Sequence, residues 1–165
     1  MWKVLGCVLF GGGVVRVIQI WILEQEKKQK MLDELIIFLR KSLAIMQKEK
    51  IHIIKYFQSQ NQEVYLEIAR RLSTNTYANG LTVWEEVFME KEQNLSFHKE
   101  TFQLVLQAGN GFFGRSREEN VQFLEKSIIE LEECQRRMKE KDLQERKVWV
   151  PVGLLGALMI VIILV

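Results

Sequence analysis

Residues 148–165, VWVPVGLLGALMIVIILV, form an apolar run without a single charge, and this run limits the possible folds more than any other feature. As a helix its 18 residues rise about 27 Å, close to the roughly 30 Å of a bilayer's hydrocarbon core. A helix satisfies its own backbone N–H and C=O groups, which hydrocarbon cannot do. Trp149 stands at the start of the run, where an amphipathic ring suits the headgroup layer. A core helix of this length would show a polar edge. None is present, so a C-terminal transmembrane helix is expected at 148–165.

The other end carries a second apolar segment. Val4 to Leu23 is interrupted only by Arg16 and Gln19, with Lys3 in front and Gly11-Gly12-Gly13 inside. A basic start and a short apolar stretch also describe a signal peptide. Here no small-x-small cleavage site follows, and apolar residues resume through Trp21, Ile22 and Leu23. Residues 1–23 therefore read as an uncleaved N-terminal transmembrane helix. Arg16 is about 12 Å of helix from Glu24, within snorkelling reach of the headgroups; the alternative is an ion pair inside a bundle of spans. Basic residues crowd the inner flanks (Lys27, Lys28, Lys30, Lys139, Lys141, Arg146, Lys147), and only Lys3 lies outside. The positive-inside rule places residues 24–147 in the cytoplasm of a two-pass protein of the cell membrane.

Residues 24–147 are long enough for one domain with its own core. A net charge of +2, with acidic and basic residues interleaved, gives no basic stripe for nucleic acid. Cys7 lies in a span and Cys134 on a charged helix, so they do not pair, and a cytoplasmic domain keeps thiols reduced. No strand alternation is visible. The fold class is all-α, a six-helix bundle flanked by the two spans.

Apolar spacing locates the six helices. The first uses Met31, Leu35, Phe38, Ser42 and Ile45; the second Ile51, Ile54 and Phe57; the third Val64, Ile68 and Leu72. The fourth presents Leu81, Trp84 and Phe88, and the fifth Phe97, Thr101, Leu104 and Ala108. The sixth opens on a capping box, Ser116 and Glu119, and continues as a heptad seam: Val121, Leu124, Ile128, Leu131, Gln135, Met138. The seam is satisfied either by the first helix of the same chain or between copies. From Lys139 to Lys147 the helix is charged or polar apart from Leu143, as in a solvated stalk or a contact rim. The first and sixth helices must be antiparallel neighbours, each fused to a span. Pro151 cannot donate to the carbonyl of Lys147, so a kink or joint at 147–151, or a helix start with proline in its first turn, is expected.

Chemistry-bearing patterns are few. Gly109-Asn110-Gly111-Phe112-Phe113-Gly114 spells G-x-G-x-x-G, but a helix precedes it and no βαβ unit is present. It reads as a structural helix–turn–helix link in which Gly109 or Gly111 takes a positive φ and Phe112 and Phe113 plug the gap between helices five and six. His52 and His98 have no ligand spacing around them. Glu85-Glu86 and Glu130-Glu132-Glu133 are helix-surface carboxylates, and no serine or cysteine sits in a nucleophile elbow. Asn94-Leu95-Ser96 matches a glycosylation sequon without meaning in a cytoplasmic domain. Gly153 and Ala157 make a small-xxx-small face in the last span. Trp84 reads as a core anchor. No catalytic, cofactor or metal residue is assigned, and an enzyme is not expected.

The turn GNGFFGRSREEN, the helix LEKSIIELEECQRRMKEKDLQERK and the terminal VWVPVGLLGALMIVIILV together resemble the stage III sporulation protein AB family. The segment IHIIKYFQSQ departs from its pattern. The family is similar to the cytoplasmic domains of the type II secretion inner-membrane platform protein, which are six-helix bundles. The resemblance implies a non-enzymatic platform in the mother-cell membrane around the forespore. It would be part of a secretion-like apparatus with a cytoplasmic ATPase, ring-forming proteins and other membrane subunits. No catalytic residues carry over. Partner docking is expected on the charged stalk, at Arg136, Arg137 and Glu140, and on the first helix at Lys27, Lys28 and Glu34, with Lys30 and Asp33 beside them. Two rival functions remain open: a signal-transducing helical membrane protein, which would want a sensing domain on the far side, and a nucleotide-binding membrane enzyme using the glycine turn.

Overall fold

The computed structural model describes the backbone of residues 2–48, 52–74, 79–95, 97–114 and 116–164, without the side chains of 2–11, 93, 94, 157, 161, 163 and 164. Among these residues there are eight helical segments and no strand. They are α1 (Trp2–Lys48), α2 (Ile53–Gln58), α3 (Glu63–Thr74), α4 (Gly80–Glu90), α5 (Glu92–Leu95), α6 (Lys99–Ala108), α7 (Asn110–Phe113) and α8 (Arg117–Leu164). The six helices read from the sequence are all present. α5 and α7 are four-residue turns, too short to show a period. Ile51, which the sequence placed on the second helix, lies outside the described residues.

The chain divides into two compact units, Met31–Cys134 and Met1–Lys30 with Gln135–Val165. The first is a helical bundle. α1 buries Leu32, Leu35, Ile36, Phe38, Leu39 and Met46, and α8 buries Leu124, Ile128, Leu131 and Cys134. Ile45, expected on the inner stripe, is exposed, and Met46 takes the inward position. Between these lie Phe57, Tyr65, Trp84, Phe88 and Phe112 from the short helices, in a continuous aromatic cluster. Ring centroids stand 3.8 Å apart for Phe38 and Tyr65, 4.6 Å for Trp84 and Phe88, and 5.1 Å for Phe57 and Phe112. Such pairs add about 0.5–1.5 kcal/mol each beyond their buried area. The Trp84 indole N–H donates to the carbonyl of Val105 at 3.1 Å, which satisfies both groups inside the core.

Polar contacts fix the ends of the bundle's long helices. The Ser116 hydroxyl accepts the N–H of Glu119 at 3.1 Å and caps the start of α8. One residue on, the Arg117 guanidinium donates to the carbonyls of Met46 at 2.7 Å and Gln47 at 2.8 Å. These are orphan carbonyls of the last turn of α1, where a cation also meets the negative end of the helix dipole. The antiparallel pairing of α1 and α8 in this unit shows in Arg40–Glu132 and in Gln47 donating to Glu125 at 3.1 Å: as one number rises the other falls.

The second unit pairs α1 and α8 antiparallel as well. Gln29 donates to Asp142 at 2.6 Å, Arg146 reaches Glu26 at 3.4 Å, and Gly153 faces Ile18. α8 runs without interruption through Pro151, which corrects the helix start expected there. The proline ring holds φ near the helical value and removes one hydrogen bond. Among the described residues no helix is long and apolar enough to cross a membrane. The side chains of 2–11, 157, 161 and 163–165, which complete the two apolar runs, lie outside the described residues, as do those of Cys7 and Ala157. The transmembrane helices expected at 1–23 and 148–165 are therefore not established by the structure.

Candidate docking surface

The glycine turn is filled with protein. Gly109 has φ −55° and no glycine described has φ in the left-handed region, so the positive φ expected at Gly109 or Gly111 is corrected. What these positions require is space. A Cβ on Gly109 would stand 2.6 Å from Trp84 Cδ1, and one on Gly111 would stand 2.5 Å from Leu124 Cγ. On Gly114 it would strike the Asn120 side chain. Phe112 is buried in the aromatic cluster, while Phe113 is half-buried against Gly80 of α4. The backbone of G-x-G-x-x-G thus abuts indole, leucine and amide groups where a phosphate would have to sit.

Other chemistry-bearing residues are dispersed. His52 and His98 are exposed at the N-caps of α2 and α6 and make no side-chain cap bond. Among the described residues no three His, Cys, Asp or Glu side chains gather as a metal group. Cys134 is a free, buried thiol 3.2 Å from the Thr101 hydroxyl. Glu130 pairs with Lys126 along α8, and Glu132 with Arg40. Asn94 and Ser96 of the sequon lie outside the described side chains.

A charged bracket links α3 to α4. Arg71 donates to Glu67 on its own helix at 2.8 Å and forks onto Glu90 of α4 at 2.9 and 2.6 Å. Arg70 adds two bonds to Glu67, of 2.8 and 2.7 Å. The hydrogen bonds from Arg70, and then from Arg71, hold the Glu67 carboxyl down at about 2. Arg71 likewise lowers Glu90, and Glu90 in turn raises Arg71. Burial raises the Tyr65 phenol well above its ordinary range, as befits a core hydroxyl.

The residues singled out for docking fall in both units. Arg136, Arg137, Glu140 and Lys27 are exposed, and Lys28 is half-buried, in the two-helix unit. Arg136 and Glu140 form an i,i+4 pair at 3.6 Å. Glu34 is exposed in the bundle unit, where it accepts a long bond from Gln62 at 3.4 Å. Sequence reasoning missed the contacts Gln29–Asp142, Glu26–Arg146 and Arg117 onto α1. An antiparallel register anchored on one α1–α8 pair would have found the first two. The Arg71 fork had only the i,i+4 spacing of Glu67 and Arg71 to signal it.

A family model described as stage III sporulation protein AB matches residues 4–165. No curated protein and no solved structure matches the chain.

Proposed function

This chain belongs to the stage III sporulation protein AB family, and on that footing we propose that it is a non-enzymatic membrane platform of a secretion-like sporulation apparatus between mother cell and forespore. A role in sporulation comes with the family. In the finer reading, the apolar ends of α1 and α8 lie in the mother-cell membrane and the bundle docks a cytoplasmic secretion-type ATPase and other subunits.

One observation carries this reading. Many described apolar side chains at the ends of α1 and α8 are exposed: Val15, Val17, Ile20 and Leu23 on α1, beside half-buried Val14, Ile18, Trp21 and Ile22, and Val152, Leu154, Leu155, Leu158, Met159 and Ile162 on α8. Exposed apolar surface of this extent marks contact with lipid or protein, and lipid is the partner that accepts a helix all round. The bundle, by contrast, has a core closed by side chains and a glycine turn packed against Trp84 and Leu124. In this reading the charges of the two-helix unit at Arg136, Arg137, Glu140, Lys27 and Lys28, with Glu34 of the bundle, grip partners.

The test is membrane fractionation followed by capture. The full chain should stay in the membrane pellet through alkaline carbonate, with residues 24–147 open to protease from the cytoplasmic side. Reversing Arg136, Arg137 and Glu140 together should lower ATPase recovery by co-purification at least severalfold while the helical content is kept. Release by carbonate would end the membrane reading, and undiminished ATPase recovery would end the docking assignment.

A further inference from the structure

A second site lies in the two-helix unit itself. Between α1 and α8 opens a crevice of about 350 Å³, lined by Val17, Ile18, Trp21, Glu145, Trp149 and Val150. Two indoles and one carboxylate in an otherwise apolar lining make an arrangement suited to a cation. An alkylammonium gains attraction from the ring faces and from the carboxylate at once, while the aliphatic residues accept the chain it is attached to. The ion pair Glu145 makes in this structure is a weak competitor: Lys141, one turn earlier, stands 3.9 Å away with its side chain largely in solvent.

The surroundings narrow the ligand further. Glu145 is the last acidic residue before the apolar run, and Arg146 and Lys147 follow it directly. Neither lines the crevice, and Arg146 is turned to Glu26, so the carboxylate of Glu145 is the one charge in the lining. Beyond lie Val17, Ile18 and Val150, where hydrocarbon is favoured. An ammonium seated beside hydrocarbon, at the end of an apolar run that lies in lipid, describes an aminophospholipid. A purely anionic lipid would instead place its charge against Glu145. We propose that the Trp21–Glu145–Trp149 crevice binds the headgroup of an aminophospholipid, with the ammonium held by the two indoles and the carboxylate. The proposal rests on the reading that the apolar runs lie in the membrane.

The probe is phosphatidylethanolamine. The full chain, reconstituted in equimolar phosphatidylethanolamine and phosphatidylglycerol and re-extracted in mild detergent, should retain the two lipids at a ratio of about 5:1 against 1:1 in the bilayer, the scale of one cation–π contact. Glu145→Gln and Trp149→Leu should each return the retained lipid to the bilayer ratio without loss of helical circular dichroism. A wild-type ratio equal to the bilayer's overturns the site, as does enrichment that survives both variants. Flotation with phosphatidylglycerol-only vesicles separates the two ideas. Protein that floats but shows no enrichment loses only the headgroup site, whereas protein that fails to float loses the membrane reading and this site with it.

Discussion

The same two helices, α1 and α8, contribute to both compact units, and the two units differ in what they bury. In Met31–Cys134 the apolar residues Leu32, Leu39, Leu124 and Leu131 are completely shielded, and the pairs Arg40–Glu132 and Lys126–Glu130 lie outside. In the other unit Asp142 is only 9% exposed and accepts from Gln29, while Leu155 and Ile162 stand 62% and 66% exposed. One arrangement suits water, since burial of apolar area drives it. The other leaves its apolar run uncovered and buries a polar contact beside exposed charges such as Lys27 and Arg137. A helix keeps its backbone bonds in either setting, so α1 and α8 need not change conformation to serve both.

The sharpest way to break this contrast is to strike the bundle at its centre. Trp84→Ala removes the indole that touches Phe57, Tyr65, Phe88 and Phe112 and orphans the Val105 carbonyl. It should cost about 3–5 kcal/mol in a denaturant titration of the full chain in detergent, while membrane retention is unchanged. Glycine replacements sharpen the contrast within one residue type. Gly111→Ala meets Leu124 and should cost about 1–3 kcal/mol. Gly156→Ala, with nothing within 4 Å of its Cβ, should be neutral or stabilising by up to about 1 kcal/mol in the same titration.

Smaller effects follow at the charged positions. Arg117→Ala deprives the carbonyls of Met46 and Gln47 of their donor and should cost about 1–2 kcal/mol, with amide exchange quickening at the end of α1. Acid should loosen the α3–α4 bracket. The Glu67 carboxyl is depressed from 4.5 to about 2, so its contribution is complete above about 4.5 and is lost as pH falls through about 2. Melting temperatures recorded from pH 6 to pH 2 should decline less in Glu67→Gln than in wild type. The smallest stability change is expected from reversing Arg136, Arg137 and Glu140, about 0.5 kcal/mol or less, because exposed pairs contribute little. A loss of several kcal/mol there would mean those charges hold the two-helix unit together instead of facing a partner.

Much of the helical plan was legible because it is periodic. Leu124, Ile128 and Leu131 recur at four and three and are buried, and Trp84 and Phe88 share a face of α4. Short elements were not legible: α5 and α7 are shorter than the repeat by which a helix is recognised. Ile45 and Met46 are equally apolar neighbours, and only the packing of the bundle chooses which turns inward. The glycines of the turn were visible as glycines. Their reason was not, because the obstructing groups of Trp84 and Leu124 come from α4 and α8. Of the residues expected to dock a partner, the charges could be read, but not that Glu34 falls in a different compact unit from Arg136 and Lys27.

By itself the sequence determined what depends on neighbours along the chain: helix as the regular element of the described residues, a capped start at Ser116, a polar stretch ahead of an apolar end, and the family. Tertiary structure decided what depends on groups far apart in number. It brought Arg117 onto the last carbonyls of α1, Asp142 against Gln29, and Trp84 into the turn that Gly109 leaves open. Periodicity is a local property, set by 3.6 residues per turn, whereas a contact across more than a hundred residues exists only once the chain has closed on itself.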